Sequence, residues 1–347
     1  MSDIPEEMIA TQTMFNGAAG RAFTDALPEL AGRYLREWGL RVDGPPMYGM
    51  CALVLPVVRA SGGPEGSRGG GPGGLPAPLP AGLPGGPPAV LPSGLQDGLP
   101  APLPAGLPGA LKLQLLDEES EGEALALRAW GRAGSGTVAL LAHDPETGAM
   151  LLERLDENRP LSAVPDTREA VGVLGEVLAR LVAVPAPQGL RTLADMAARM
   201  LTEVPRVLAV LADDEERRLV ADCAAALREV AGEPGDRLLH WDLHYDNVLA
   251  GRPGTEREHE WVALDPKPLA GDPGFELFPA LDNRFEPEEI LWRFDALSEA
   301  LGPGYDRERA RAWTLGRVLQ NVLWHSRPGT HTLAPDHAEI ARRLLGR

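Results

Sequence analysis

Cysteine is scarce. The 347-residue chain has two, Cys51 and Cys223, too far apart to form a metal-ligand spacing, so a reduced chain with buried thiols is expected. Positive charge is also short: 33 Lys and Arg stand against 50 Asp and Glu, a formal charge of −17. Nucleic acid and anionic membranes are therefore not expected partners, because both draw on clustered cations. A cationic small molecule would be favoured. The opening "MSDIPEEMIA" lacks the basic segment and apolar run of an export signal, and no uninterrupted apolar stretch approaches a membrane span. A cytoplasmic chain is expected, and 44% hydrophobic residues supply core for two modest domains or one bilobed enzyme.

From 61 to 110 the composition shifts: 13 of 50 residues are Pro, 15 are Gly, and none is aromatic. "GLPAPLPAGLPG" occurs twice, at 74–85 and 98–109, and prolines in almost every turn forbid the helix that the leucine spacing imitates. This segment reads as a disordered Pro/Gly-rich insert, and without a Gly-Lys-Ser/Thr element its glycines do not form a phosphate loop.

Around the insert the pattern is α+β. Leu27, Leu30, Tyr34 and Trp38 predict a helix over 25–39. A hairpin follows through Cys51 to Val58, then a strand through Lys112 and a helix from Asp117 that carries Glu123 on the face of Leu127 and Trp130. A second hairpin pairs Val138–Ala142 with Ala149–Glu153. Beyond Asp156 the spacing is mostly helical, interrupted by "LLHWDLHYDNVLAG", 238–251, and by a strand pair at Asn247–Ala250 and Trp261–Leu264. Four helical stretches close the chain: 273–282, 287–301, 305–325 and 334–346.

His240, Asp242 and His244 alone suit either a zinc cage or a catalytic loop. Their context favours the loop. A strand lysine (Lys112), an inward helix glutamate (Glu123, or Glu121), a carboxylate hairpin at Glu153, "HWDLHYDN" and "ALDPK" with Asp265 follow one another in the order of a kinase. Phosphoryl transfer needs phosphates held, Mg²⁺ bound by oxygen ligands and a hydroxyl oriented. Lys112 and Glu123, then Asn247 with Asp265, then Asp242 are candidates for those tasks. Both histidines read as loop-shaping hydrogen bonders.

"HWDLHYDNVL" with "WVALDPKPLAGDPGFELFPALDNR" resembles the aminoglycoside and hydroxyurea phosphotransferase family, most closely its streptomycin 6-kinase branch. The resemblance implies a bilobed protein-kinase-like fold. A small, mainly β N-lobe with one helix would span 1–155, interrupted by the insert, and a larger, mainly α C-lobe 156–347. It also implies ATP and Mg²⁺, with Asp242 catalytic, Asn247 and Asp265 on the metal, Lys112 on the phosphates and paired with Glu123, and Glu153, Arg154 and Leu155 as the adenine hinge. The acceptor expected is a hydroxyl of an aminoglycoside such as streptomycin, or of hydroxyurea. Many relatives in the wider family carry Gly where this chain has Trp241. Lys267 is read as a phosphate or substrate contact or a surface charge, and Asp272, Glu276, Asp282 and Glu286 as a cation-binding cleft or a solvated face. The alternatives are a zinc-dependent hydrolase using His240, Asp242 and His244, and a non-catalytic kinase-fold binding protein.

Overall fold

The computed structural model describes residues 4–49, 52–60, 108–326 and 332–347, which divide into two compact units. One comprises the described residues of 1–116 and 140–154, the other those of 117–139 and 155–347.

The first unit is a sheet with a helix. α1 (Glu6–Glu37) begins well before the expected position and breaks at Gly17, where φ is +55°. β1 (Leu40–Val42), β2 (Met47–Tyr48), β3 (Ala52–Arg59), β4 (Pro108–Gln114), β5 (Leu140–His143) and β6 (Met150–Glu153) form one antiparallel sheet in the order β1-β3-β4-β6-β5, with β2 on β3. Leu27, Ala31 and Tyr34 of α1 meet Leu53, Leu55, Leu111, Leu113 and Leu151 in its core. Each such leucine removed from water contributes about 1.5–3 kcal/mol. β3 and β4 pair directly, Val58 opposite Pro108 and Val54 opposite Lys112. The three residues Pro108–Ala110, expected in the insert, therefore belong to β4, while 61–107 lie outside the described residues.

The second unit is mainly helical: α2 (Glu123–Ala133), α3 (Thr167–Val182), α4 (Leu193–Val210), α5 (Asp214–Val230), α6 (Phe278–Asp282), α7 (Ile290–Ala300), α8 (Arg307–His325) and α9 (Pro335–Leu345). Asp166, Thr192, Asp213 and Asp306 accept from backbone N–H groups at the starts of α3, α4, α5 and α8, caps worth about 1 kcal/mol each. The expected 273–282 helix is a 3₁₀ turn at Pro273–Glu276 followed by α6. The helix expected from Asp117 starts only at Glu123. Asp117 Oδ1 takes the N–H groups of Glu119 and Ser120, both at 2.9 Å, and this local turn competes with helix. α2 was expected in the N-terminal lobe; by contacts it groups with the second unit, where Trp130 is fully buried and its Nε1 donates to Leu181 O at 3.0 Å.

Two short ladders position the site. β7 (Arg237–Leu239) pairs with β10 (Leu269–Gly271), and β8 (Val248–Ala250) pairs with β9 (Trp261–Ala263). Loop 240–247 runs from β7 to β8 and loop 264–268 from β9 to β10. Each loop is thus clamped at both ends by a strand paired with the strand flanking the other loop. Among the described residues no helix is long and apolar enough to cross a membrane.

Candidate active site

Backbone bonds tie the two loops across their length. Leu264 N–H donates to Asn247 O and Lys267 N–H to His240 O, both at 3.0 Å. His240 is wholly buried, its Nε2 3.0 Å from Leu264 O. Burial pushes its imidazole down to about 4, against the pull of Asp242 and Asp265, so the ring is neutral. It is a structural pin of the loop.

Asp242 sits at the mouth of this arrangement, with about a quarter of its side chain exposed. Its Oδ2 accepts from Lys267 Nζ at 3.0 Å. Burial opposes ionisation, but Lys267, His244 and Arg317 outweigh it and hold the carboxyl below the usual range. Burial likewise works against the Lys267 ammonium, and Asp242 more than offsets it, so Lys267 is raised. Both stay charged at neutral pH.

Asn247 is aimed by its amide nitrogen. Nδ2 donates to Asp242 O at 2.9 Å and lies 3.1 Å from His244 Nε2, which leaves the oxygen as the end suited to a hard cation. Asp265 follows with φ +58°, a left-handed conformation that Asp tolerates better than most residues. Asp246 N–H donates to His244 Nδ1 at 3.3 Å.

Trp241 has φ +67°, the left-handed region glycine adopts freely and other residues enter at about 1–2 kcal/mol. The tryptophan gains packing in return. Its ring is 4% exposed, with the Arg317 and Arg191 guanidinium carbons 4.1 and 4.3 Å from the centroid. Arg317 Nη2 also donates to Trp241 O at 3.1 Å, and Arg191 Nη2 to Lys267 O at 2.9 Å. Glu119 completes the cluster, 4.0 Å from Arg191, its carboxyl raised by burial despite Lys267 and Arg191. Sequence reading missed Glu119, Arg191 and Arg317. Nothing in their local spacing marks them, because they meet only through the tertiary fold.

Two expected acceptor contacts are corrected. Asp272 is 3% exposed, accepts from Gly274 N at 2.9 Å and Arg309 Nε at 2.8 Å, and bonds the Tyr305 hydroxyl. Glu276 is 2% exposed, and its two oxygens accept from His240 N at 3.1 Å and Trp241 N at 2.6 Å. Neither presents a carboxylate to a ligand. Asp282 is 3.3 Å from His337, and Glu286 is on the surface, so the four do not line a cleft.

In the first unit Lys112 is central on β4, between Val54 and Met150, and 3% exposed. Glu153 ends β6 opposite Gly109, and Arg154 Nη1 donates to Asp43 O and Oδ2 at 3.1 and 3.2 Å. In the second unit Glu123 opens α2, 1% exposed, and Leu155 is buried. The zinc reading fails on geometry: His240 is committed to Leu264, and among the described residues no three His, Cys, Asp or Glu side chains converge as metal ligands.

The model of the aminoglycoside/hydroxyurea antibiotic resistance kinase family matches residues 90–329. A hydroxyurea phosphotransferase of Kitasatospora aureofaciens is 50% identical over 99% of this chain and 86% of its own length. A streptomycin 6-kinase of Streptomyces glaucescens is 44% identical over 99% and 97%, respectively. Among solved structures, a thermostable mutant of aminoglycoside phosphotransferase APH(4)-Ia with ADP and hygromycin B aligns at TM-score 0.54 and 14% identity, covering 91% of this chain and 96% of that one. Choline kinase LicA of Streptococcus pneumoniae aligns at 0.51 and 11%, covering 93% and 98%; these two share the fold. With the family model matched over more than half its length and relatives matched over nearly all of it, the chain belongs to the aminoglycoside/hydroxyurea antibiotic resistance kinases, phosphotransferases of protein-kinase-like fold.

Proposed function

We propose that this kinase transfers the terminal phosphoryl group of ATP to a hydroxyl of a small cationic acceptor of the streptomycin type, with hydroxyurea as the uncharged alternative. The observation that carries the reading is one loop that presents the Asp242 carboxylate and commits the Asn247 amide nitrogen to Asp242 O, so that the amide oxygen is the end suited to a cation. Asp242 is the base that orients the acceptor hydroxyl and takes its proton. Lys112, Glu123 and residues 153–155 serve the nucleotide. The donor set of Asn247 and Asp265, an amide oxygen and a carboxylate, fits Mg²⁺; these two residues would hold it, and when bound it neutralises charge on the phosphates. The demand for ATP puts the reaction in the cytoplasm.

The acceptor class is supported by the chain's −17 charge, which attracts polycations at long range, and by the relatives' names. The test is a mass-spectrometric screen of the purified protein with Mg·ATP over aminocyclitols, hydroxyurea and other hydroxylated compounds, scored by gain of one phosphoryl group. Streptomycin-type acceptors should react, with KM rising several-fold as salt screens the field while KM for Mg·ATP changes much less. Exclusive phosphorylation of anionic acceptors, or none at all, refutes the proposal.

A further inference from the structure

Every part of Lys267 is fastened. Its N–H donates to His240 O at 3.0 Å, and its carbonyl accepts from Arg191 Nη2 at 2.9 Å. It lies between Pro266 and Pro268, whose rings fix φ on both sides. The ammonium reaches Asp242 Oδ2 at 3.0 Å, and lies 5.8 Å from the centroid of the Trp241 ring. An exposed ion pair between two mobile side chains does little. Here both backbones are pinned, and the side chains are only 26% and 23% exposed.

This fastening makes the two oxygens of Asp242 unequal. Oδ2 is taken by Lys267, whereas Oδ1 faces His244 Nε2 at 3.9 Å, beyond hydrogen-bond reach. We propose that Lys267 is a positioning residue for phosphoryl transfer: by holding Oδ2 it fixes the Asp242 carboxylate in the orientation that presents Oδ1 to the acceptor hydroxyl. The inference rests on the function proposed above. In the step concerned, the acceptor oxygen bonds to the terminal phosphorus of ATP. The bond from that phosphorus to the bridging oxygen breaks, its electron pair leaving on ADP, and the hydroxyl proton passes to Asp242 Oδ1. Lys267 keeps its proton throughout. Its contribution is geometric, since a carboxylate free to turn about two side-chain bonds spends much of its time misdirected, and a displacement of about 1 Å costs on the order of 100-fold in rate.

The experiment is a double-mutant cycle. Lys267→Met and Lys267→Gln are made alone and combined with Asp242→Asn, and kcat and KM are measured for Mg·ATP and for streptomycin or hydroxyurea, whichever the wild type phosphorylates better. Lys267→Met should lower kcat about 10- to 100-fold with both KM values within about threefold and an unchanged melting temperature. In the Asp242→Asn background the same change should cost less than about twofold, because the group it positions is gone. Lys267→Gln is one bond shorter and uncharged, so it should show the same non-additivity, and it carries the test if the Met variant does not fold. Lys267→Arg should recover part of kcat. Equal losses in both backgrounds, or a higher KM for Mg·ATP with kcat intact, would make Lys267 a plain phosphate contact and overturn the proposal. A wild type that phosphorylates neither compound sinks the functional reading and this role together, whereas an active wild type with additive losses sinks this role alone.

Discussion

Glu276 offers a prediction in which stability and pH are linked through one side chain. Its carboxyl is buried, and its two oxygens each take one backbone N–H, from His240 and Trp241. Glu276→Gln keeps one acceptor and turns an N–H donor toward the other amide, so one buried N–H loses its partner at a cost of about 1–3 kcal/mol. The wild type carries a second term. Burial lifts the Glu276 carboxyl from 4.5 to about 7, against the opposing N–H bonds from Trp241 and His240 and the charge of Arg317. Between those values the folded chain keeps a proton that the unfolded chain has released. The stability linked to it is therefore complete below the unfolded value and is lost as pH rises through about 7. A tenfold change in proton concentration is worth about 1.4 kcal/mol, so the whole rise amounts to about 3 kcal/mol. Glutamine has no such proton. Its deficit against the wild type should be largest near pH 5 and shrink by about 3 kcal/mol toward pH 8, where the variant equals or exceeds the wild type in stability. Urea unfolding of both, followed by tryptophan fluorescence across that range, measures the difference through the midpoints at constant slope. A deficit that does not change with pH would refute the reasoning and mean that Glu276 is ionised throughout.

Two further changes test the loop. Asp242→Asn should keep nucleotide affinity within a few-fold in a binding titration while kcat falls by about two or more orders of magnitude, as expected for a group used mainly in the transition state; near-wild-type turnover would remove Asp242 from the mechanism. Trp241→Gly relieves about 1–2 kcal/mol of backbone strain but gives up a buried ring worth about 3–5 kcal/mol. The variant should unfold at a visibly lower temperature, and a rise would show that the stacking of Arg191 and Arg317 contributes nothing.

The sequence made the long elements legible because burial imposes a period on them. α3, α4 and α5 lie where leucine and valine recur at helical spacing, and the hairpins appear as apolar runs cut by Gly and Pro. Three-residue strands carry no period. β8 and β9 were read as a pair of neighbours in sequence, but β7 and β10, separated by both of them, went unread, although their pairing brings His240 and Lys267 onto neighbouring backbones. Asp117 shows the opposite failure, a residue in a helical pattern whose side chain bonds its own backbone and delays α2 to Glu123. At the site, the spacing of Asp242, Asn247 and Asp265 was readable because one loop and one strand end fix it. The direction of Asp272 and Glu276 was not, because a carboxylate that serves a backbone N–H in the core and one that faces a ligand look alike until the packing of their neighbours is known.

The charge of the whole chain is a poor guide to the charge of its centre. The excess of carboxylates suggests a cleft rich in negative charge, yet Lys267, Arg191 and Arg317 are grouped around Trp241 and Asp242, with Asp242, Glu119 and Glu276 against them. A phosphotransferase needs that balance. Its donor is polyanionic, and a lone carboxylate base beside it would be driven toward protonation by the phosphates it must work against. Fixed cations around the indole keep Asp242 ionised, and the Asp242 carboxylate in turn offsets part of their charge. Attraction of the proposed cationic acceptor then falls to the long-range field of the surface rather than to carboxylates at the reacting centre, which is why salt should act on acceptor KM far more than on kcat.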